Sequence, residues 1–234
     1  MEESELKHFF EAKWTAKELI ILLILTFVIV PFALEGLLQD LLSNIFHSNL
    51  YAGTLTGLIM AIVFTTAVYV VALRPFNYSW RKIGIHSFKK DYWKRIFVWL
   101  LILITTSIAL VSIMDLFGIG TDNDKTQSLK QNMNWITITI GFVSAAIISP
   151  VYEEIFYRGF LYKWFRVKWG LVPALFFSST IFTLVHIPTY NTLPVNFISG
   201  LIFAWTYEKT NSIIPGMIIH GTFNGIAVIL TTIA

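Results

Sequence analysis

Ser149-Pro150-Val151-Tyr152-Glu153-Glu154-Ile155-Phe156-Tyr157-Arg158-Gly159 places two adjacent glutamates and an arginine inside a strongly apolar run. Ionisable side chains are costly in hydrocarbon, and where they occur they mark function by default. On an α-helix Glu154 and Arg158 are four residues apart, so they share a face and can pair. Glu153 lies about 100° further round the same helix, which frees it for another task. The run therefore reads as a helix buried in apolar surroundings, with a structural ion pair on one side and a second carboxylate on the other.

The rest of the chain extends that reading. Of 234 residues, 56% are hydrophobic and 13% charged, against about 25% charged in a soluble domain. The apolar residues fall in blocks of roughly twenty, the length that crosses a bilayer. The pattern predicts an all-α, polytopic transmembrane helical bundle of seven spans, with six to eight as the range. Residues 1–234 read as one integral-membrane domain. The expected spans are 19–42, 51–73, 96–117, 135–164, 171–187, 194–207 and 213–233. Pro31 is expected to kink the first span. Glu35 and Asp40, near its far end, read as interfacial or snorkelling residues. Gly53 with Gly57, and Gly221 with Gly225, have the small-xxx-small spacing that lets helices approach closely. His8, Phe9, Phe10 and Trp14 suggest a short interfacial helix ahead of the first span. That span is too long for a signal-peptide core and lacks a small-residue cleavage site, so it reads as retained.

The net charge of +3 does not indicate nucleic acid, because the basic residues sit between spans. With the N-terminus inside, 14 of the 17 lysines and arginines fall in inner segments and only Lys125 and Lys130 in outer loops. That asymmetry predicts a cytoplasmic N-terminus. The chain has no cysteine, which excludes disulfides, thiolate metal sites and a cysteine nucleophile.

Three more polar residues stand in apolar surroundings. His186 closes the run Phe182-Thr183-Leu184-Val185-His186, and His220 and Asn224 lie one turn apart on another span. At 1.5 Å per residue from the inner ends, Glu153 lies ~20 Å deep, His186 ~25 Å and His220 ~17 Å. Similar depth permits one shared site. A desolvated glutamate suits a general base acting on water near neutral pH. A histidine can hold that water, while a second histidine and an asparagine amide can donate to an oxyanion. The alternative is a metal such as zinc held by Glu153, His186 and His220, with a bound water as nucleophile. Spacing leaves both open. His8, His47 and His86 lie in polar flanks and read as uninvolved.

At these positions the chain resembles the CAAX-protease and bacteriocin-processing (Abi) family of intramembrane endopeptidases. That family carries Glu-Glu-x-x-x-Arg, Phe-x-x-x-His and His-x-x-x-Asn on separate transmembrane helices. Here they stand as Glu153-Glu154-x-x-x-Arg158, Phe182-x-x-x-His186 and His220-x-x-x-Asn224, within residues 138–228. The resemblance implies that Glu153 activates the hydrolytic water with His186 assisting. It implies that Glu154 holds Arg158, which orients the site, and that His220 and Asn224 stabilise the oxyanion. The family has been called metalloprotease, and a metal-independent glutamate mechanism is also attributed to members. The metal-free reading is favoured here, because two carboxylates and an amide already supply acid–base and oxyanion groups. The implied partners are a peptide or membrane-protein substrate and the lipid bilayer, with no nucleic acid. The Ile-, Lys- and Asn-rich composition points to a bacterial cell membrane, where peptide processing or bacteriocin self-immunity is the expected role. The reading is hydrolysis at a cavity opening to the cytoplasm. The rivals are a non-catalytic regulator or immunity protein of the same fold and a proton-coupled transporter, which matched halves with broken helices would favour.

Overall fold

The computed structural model describes residues 10–120, 127, 130 and 134–233. Seven long helices organise it: α1 (Ala16–Phe46), α2 (Asn49–Phe76), α3 (Tyr92–Leu116), α4 (Trp135–Trp169), α5 (Leu171–Leu184), α6 (Leu193–Thr210) and α7 (Ile214–Ile233). Five of them, α1 to α4 and α7, are long and apolar enough to cross a membrane; α5 and α6 form a shorter hairpin of 14 and 18 residues. No strand occurs among the described residues. A helical membrane bundle is what the sequence predicts, and the reason is that helices satisfy every backbone group without water. His8, Phe9 and Lys125 lie outside the described residues.

The helix ends carry their own stop signals. Thr15 and Glu18 form a capping box at the start of α1, with Thr15 N donating to Glu18 Oε2 at 2.7 Å. Asn134 caps α4 through Ile136 N at 2.9 Å. Within the spans, Thr26, Ser178, Thr183 and Ser199 return their hydroxyls to the carbonyl four residues back, which satisfies them in apolar surroundings. Pro31 does not end α1. It falls in a π-helical stretch, Leu25–Leu38, and the helix continues for two more turns after it.

One end of the bundle is built from named contacts. The Trp14 indole donates to Ala72 O at 2.7 Å, and the Trp164 indole to Thr15 O at 2.8 Å. Ile213 N donates to Gly84 O at 3.0 Å, and Lys163 Nζ donates to Lys82 O. Arg166 forks onto Glu208, which also accepts from the Tyr162 hydroxyl at 2.7 Å. Residues 10–15 are thus packed into this end and are not helical. Phe10 and Trp14 are buried against Tyr162, Tyr207 and Phe160 because their rings find more apolar contact there than at a bilayer surface. The opposite end holds the turn after α3 and the α5–α6 connection, joined by Asn191 Nδ2 donating to Gly120 O at 3.0 Å.

The two glycine pairs behave differently. A Cβ on Gly53 would meet nothing within 4 Å, and one on Gly57 would reach only Ser144 Oγ at 3.8 Å, so this pair makes no close helix approach. A Cβ on Gly221 would collide with the Ala146 carbonyl, and one on Gly225 would come within 2.8 Å of the Phe142 ring. The close approach is between α7 and α4, the two helices that carry the glutamates and His220.

Candidate active site

Helix α4 changes its winding where the two glutamates stand. The α-helical turn Ser149–Glu153 passes into a π-helical stretch, Glu154–Tyr162, and every residue from 154 to 165 is buried. Glu154 and Arg158 are fully enclosed there. Arg158 Nη1 donates to Glu154 Oε1 at 2.9 Å, and Nη2 donates to Gly200 O of α6 at 3.3 Å. The guanidinium also lies over the rings of Phe182 and Phe203, 4.4 and 5.0 Å from their centres. A cation without water needs such company.

His220 joins the two glutamates. Its Nδ1–H donates to Glu154 Oε1 at 3.2 Å, and its Nε2 lies 3.7 Å from Glu153 Oε2. The separation of roles expected from a 100° step along α4 is therefore bridged from outside by one imidazole. Phe203 stacks on that imidazole at 4.7 Å and 19°, and Phe182 meets it edge-on at 6.0 Å. Gly216, one turn before His220, lets α7 close on Glu154; a Cβ there would sit 2.8 Å from Glu154 Oε2. Glu154 is 0% exposed and Glu153 is 13% exposed, so only Glu153 is open to a reactant.

His186 and Asn224 stand around this centre. His186 Nδ1–H donates to Phe182 O at 2.7 Å, which leaves Nε2 as the outward nitrogen. Its ring packs 5.0 Å from Phe182, the same ring that touches His220 and Arg158. Asn224 Nδ2 donates to Ala145 O at 3.0 Å, on the α4 segment two turns beyond Glu153. An amide nitrogen carries two hydrogens, so one remains for another acceptor. The structure thus brings Glu153, Glu154, Arg158 and His220 into direct contact, with His186 reached through Phe182 and Asn224 one turn further along α7.

The alternative metal set of Glu153, His186 and His220 is not grouped as ligands. Both nitrogens of His220 face carboxylates, and among the described residues no three His, Cys, Asp or Glu side chains are arranged to hold a metal ion. Sequence reasoning missed Phe203 and the Gly200 carbonyl. Neither carries a signal in the sequence, since one is an apolar residue in an apolar helix and the other is backbone.

Comparison with known proteins agrees with the motifs. Residues 134–226 match the family model described as type II CAAX prenyl endopeptidase Rce1-like. "Putative membrane peptidase YdiL" of Bacillus subtilis is 28% identical over 114 residues, covering 49% of this chain and 46% of that protein. "UPF0177 protein YbdI" of Lactococcus lactis is 28% identical over 87 residues, covering 36% of this chain and 44% of that protein. "Membrane-embedded CAAX protease MroQ" of Staphylococcus aureus is 25% identical over 182 residues, covering 74% of this chain and 71% of that protein. The matches to the first two span just under half of those proteins' length. No solved structure matches the chain.

Proposed function

Taking as premise that residues 134–226 form an Rce1-like segment of an integral membrane protein, we propose that the chain is an intramembrane endopeptidase. It hydrolyses a peptide bond with water activated by Glu153. The observation that carries this reading is the contact of one imidazole, His220, with both glutamates in a site where only Glu153 is open.

Each side chain then has a task. Glu153 takes a proton from water as the oxygen attacks the scissile carbonyl. The proton resides between Glu153 Oε2 and His220 Nε2, 3.7 Å apart, and passes to the leaving amine when the C–N bond breaks. Glu154 accepts from His220 Nδ1–H and so fixes which ring nitrogen faces Glu153. Arg158 balances the charge of Glu154 and ties it to α6 through Gly200 O. The second hydrogen of the Asn224 amide donates to the oxyanion that forms, and the outward Nε2 of His186, an acceptor while Nδ1 carries the proton, accepts from the attacking water. Enclosure by Phe182 and Phe203 keeps bulk water away and strengthens each interaction.

The test is cleavage of a peptide library by purified protein in detergent, comparing wild type with Glu153→Gln and His220→Ala. Both variants are expected to insert, and both to lose cleavage. Unchanged cleavage by Glu153→Gln refutes the base assignment. Full biological activity of that variant favours the regulator reading. In this reading water is activated by Glu153 without a metal, so treatment with a chelator is expected to leave the rate unchanged.

A further inference from the structure

Burial along the helices is not symmetric about Glu153. Toward the end that holds the N-terminal segment, α4 is enclosed on every side for twelve residues, 154 to 165. Two groups of packed aromatic rings fill that half. Phe64 packs on Phe156 at 4.9 Å, Phe156 on Phe160 at 6.5 Å, Phe160 on Trp14 at 5.0 Å, and Phe10 covers Tyr162 and Tyr207. Lys163, Arg166 and Glu208 lock the same end with their hydrogen bonds. An interior packed in this way leaves no path for a polypeptide.

The other direction differs. Ser149, one turn from Glu153, is partly exposed, and so are His186 and Asn224. On α6 the change from buried to partly exposed comes between Ser199 and Ile198, and on α7 buried Gly221 is followed by exposed Thr222 and partly exposed Phe223 and Asn224. These boundaries lie at the level of Glu153 and His220. Beyond them stands Glu35, an exposed carboxylate on α1. Counted from Thr15, which is level with Trp164, it lies ~30 Å from the N-terminal end, against ~16 Å for Glu153. Charged side chains inside spans face the bundle interior or a water-filled cavity. The partly exposed polar residues around Glu153 therefore lie on one side of it.

We propose that the substrate reaches Glu153 from the end of the bundle formed by residues 117–120 and 185–192, opposite the N-terminal segment. The substrate class is then a polypeptide segment presented at that face of the membrane. This deepens the protease reading and rests on it. With the N-terminus cytoplasmic, as the lysine and arginine distribution predicts, that face is the outer one. Under this proposal the opening lies on the face opposite to the cytoplasmic one expected from sequence.

The absence of cysteine from the chain provides a clean test. Single cysteines are introduced by Glu153→Cys and Ser149→Cys at the site. Lys209→Cys marks the N-terminal end, and Tyr190→Cys, at an exposed position, marks the other. A membrane-impermeant methanethiosulfonate is applied to right-side-out and inverted vesicles. The expected result is that both site cysteines label with the sidedness of Tyr190→Cys, at least tenfold faster than from the other face. Labelling with the sidedness of Lys209→Cys overturns the proposal. So does labelling from neither face while both markers react. Ser149→Cys keeps the test valid where Glu153→Cys fails to fold. The readout is thiol reaction and not cleavage, so it stands apart from the Glu153→Gln assay of the protease reading.

Discussion

Arg158→Met removes the cation from a pair in which Arg158 is 1% and Glu154 0% exposed. The carboxylate left behind retains the His220 Nδ1–H at 3.2 Å but loses its 2.9 Å partner. Breaking a buried ion pair costs about 3–5 kcal/mol. The lost contacts with Phe182 and Phe203 lift this case to at least the middle of that range, since a desolvated cation over a ring contributes about 2 kcal/mol. About 4 kcal/mol is a shift of nearly a thousandfold in the folding equilibrium. In a domain of this size it corresponds to about 8–16 °C in Tm. Thermal unfolding of the purified protein in mild detergent measures it. Glu154→Gln keeps an acceptor for both Arg158 and His220 but strands the guanidinium, so it is expected to fall by a comparable amount. The double variant removes both charges and is expected to lose less than the two single losses combined, with a coupling of at least about 2 kcal/mol. Arg158→Met within 2 °C of wild type, on the same scale, refutes the reasoning, as does strict additivity.

Other outcomes follow from the same geometry. Glu153→Gln is expected to lower the cleavage rate by about 10²–10⁴-fold, the usual contribution of a general base, with Tm unchanged because Glu153 is the partly open carboxylate. Gly221→Val drives a side chain into the Ala146 carbonyl and is expected to cost about 1–3 kcal/mol or more, together with cleavage, since α7 carries His220. Gly53→Ala meets nothing within 4 Å and is expected to leave Tm and cleavage at or slightly above wild type. Trp14→Ala removes a ring that is 1% exposed and is expected to destabilise by about 3–5 kcal/mol in the same unfolding assay. Limited proteolysis checks that this variant releases residues 10–15, and retention of that segment at wild-type Tm contradicts the packing described here.

Much of the fold was legible in advance because the bilayer constrains it so strongly. Blocks of apolar residues at spanning length predict the helices, and their observed ends differ from the expected ones by a few residues. The exceptions are instructive. α1 runs through Pro31 as the span pattern predicts, but spacing does not reveal the π-helical winding there. The pair Gly53 and Gly57 has the spacing of a close contact and makes none, while Gly221 and Gly225 have the same spacing and make one. Small residues permit close approach, and the neighbouring helix decides whether it happens. Phe10 and Trp14 read as interfacial by composition, yet the end of the bundle offered a deeper apolar seat.

The candidate site divides along the same line. The sequence by itself determined that Glu153, Glu154 and Arg158 are charges in an apolar run, that Glu154 and Arg158 are spaced to pair, and that Glu153 and two histidines fall at depths that permit one site. Those are properties of local spacing and of hydrocarbon as a solvent. Only the tertiary structure decided that His220 touches both glutamates, that Phe182 and Phe203 enclose the guanidinium, and that one side of Glu153 is sealed by aromatic rings. These relations join residues 24 or more positions apart, and the angles and distances between α4, α5, α6 and α7 set them. No periodicity within a single helix encodes that angle; it follows from which surfaces pack once all the helices are in place.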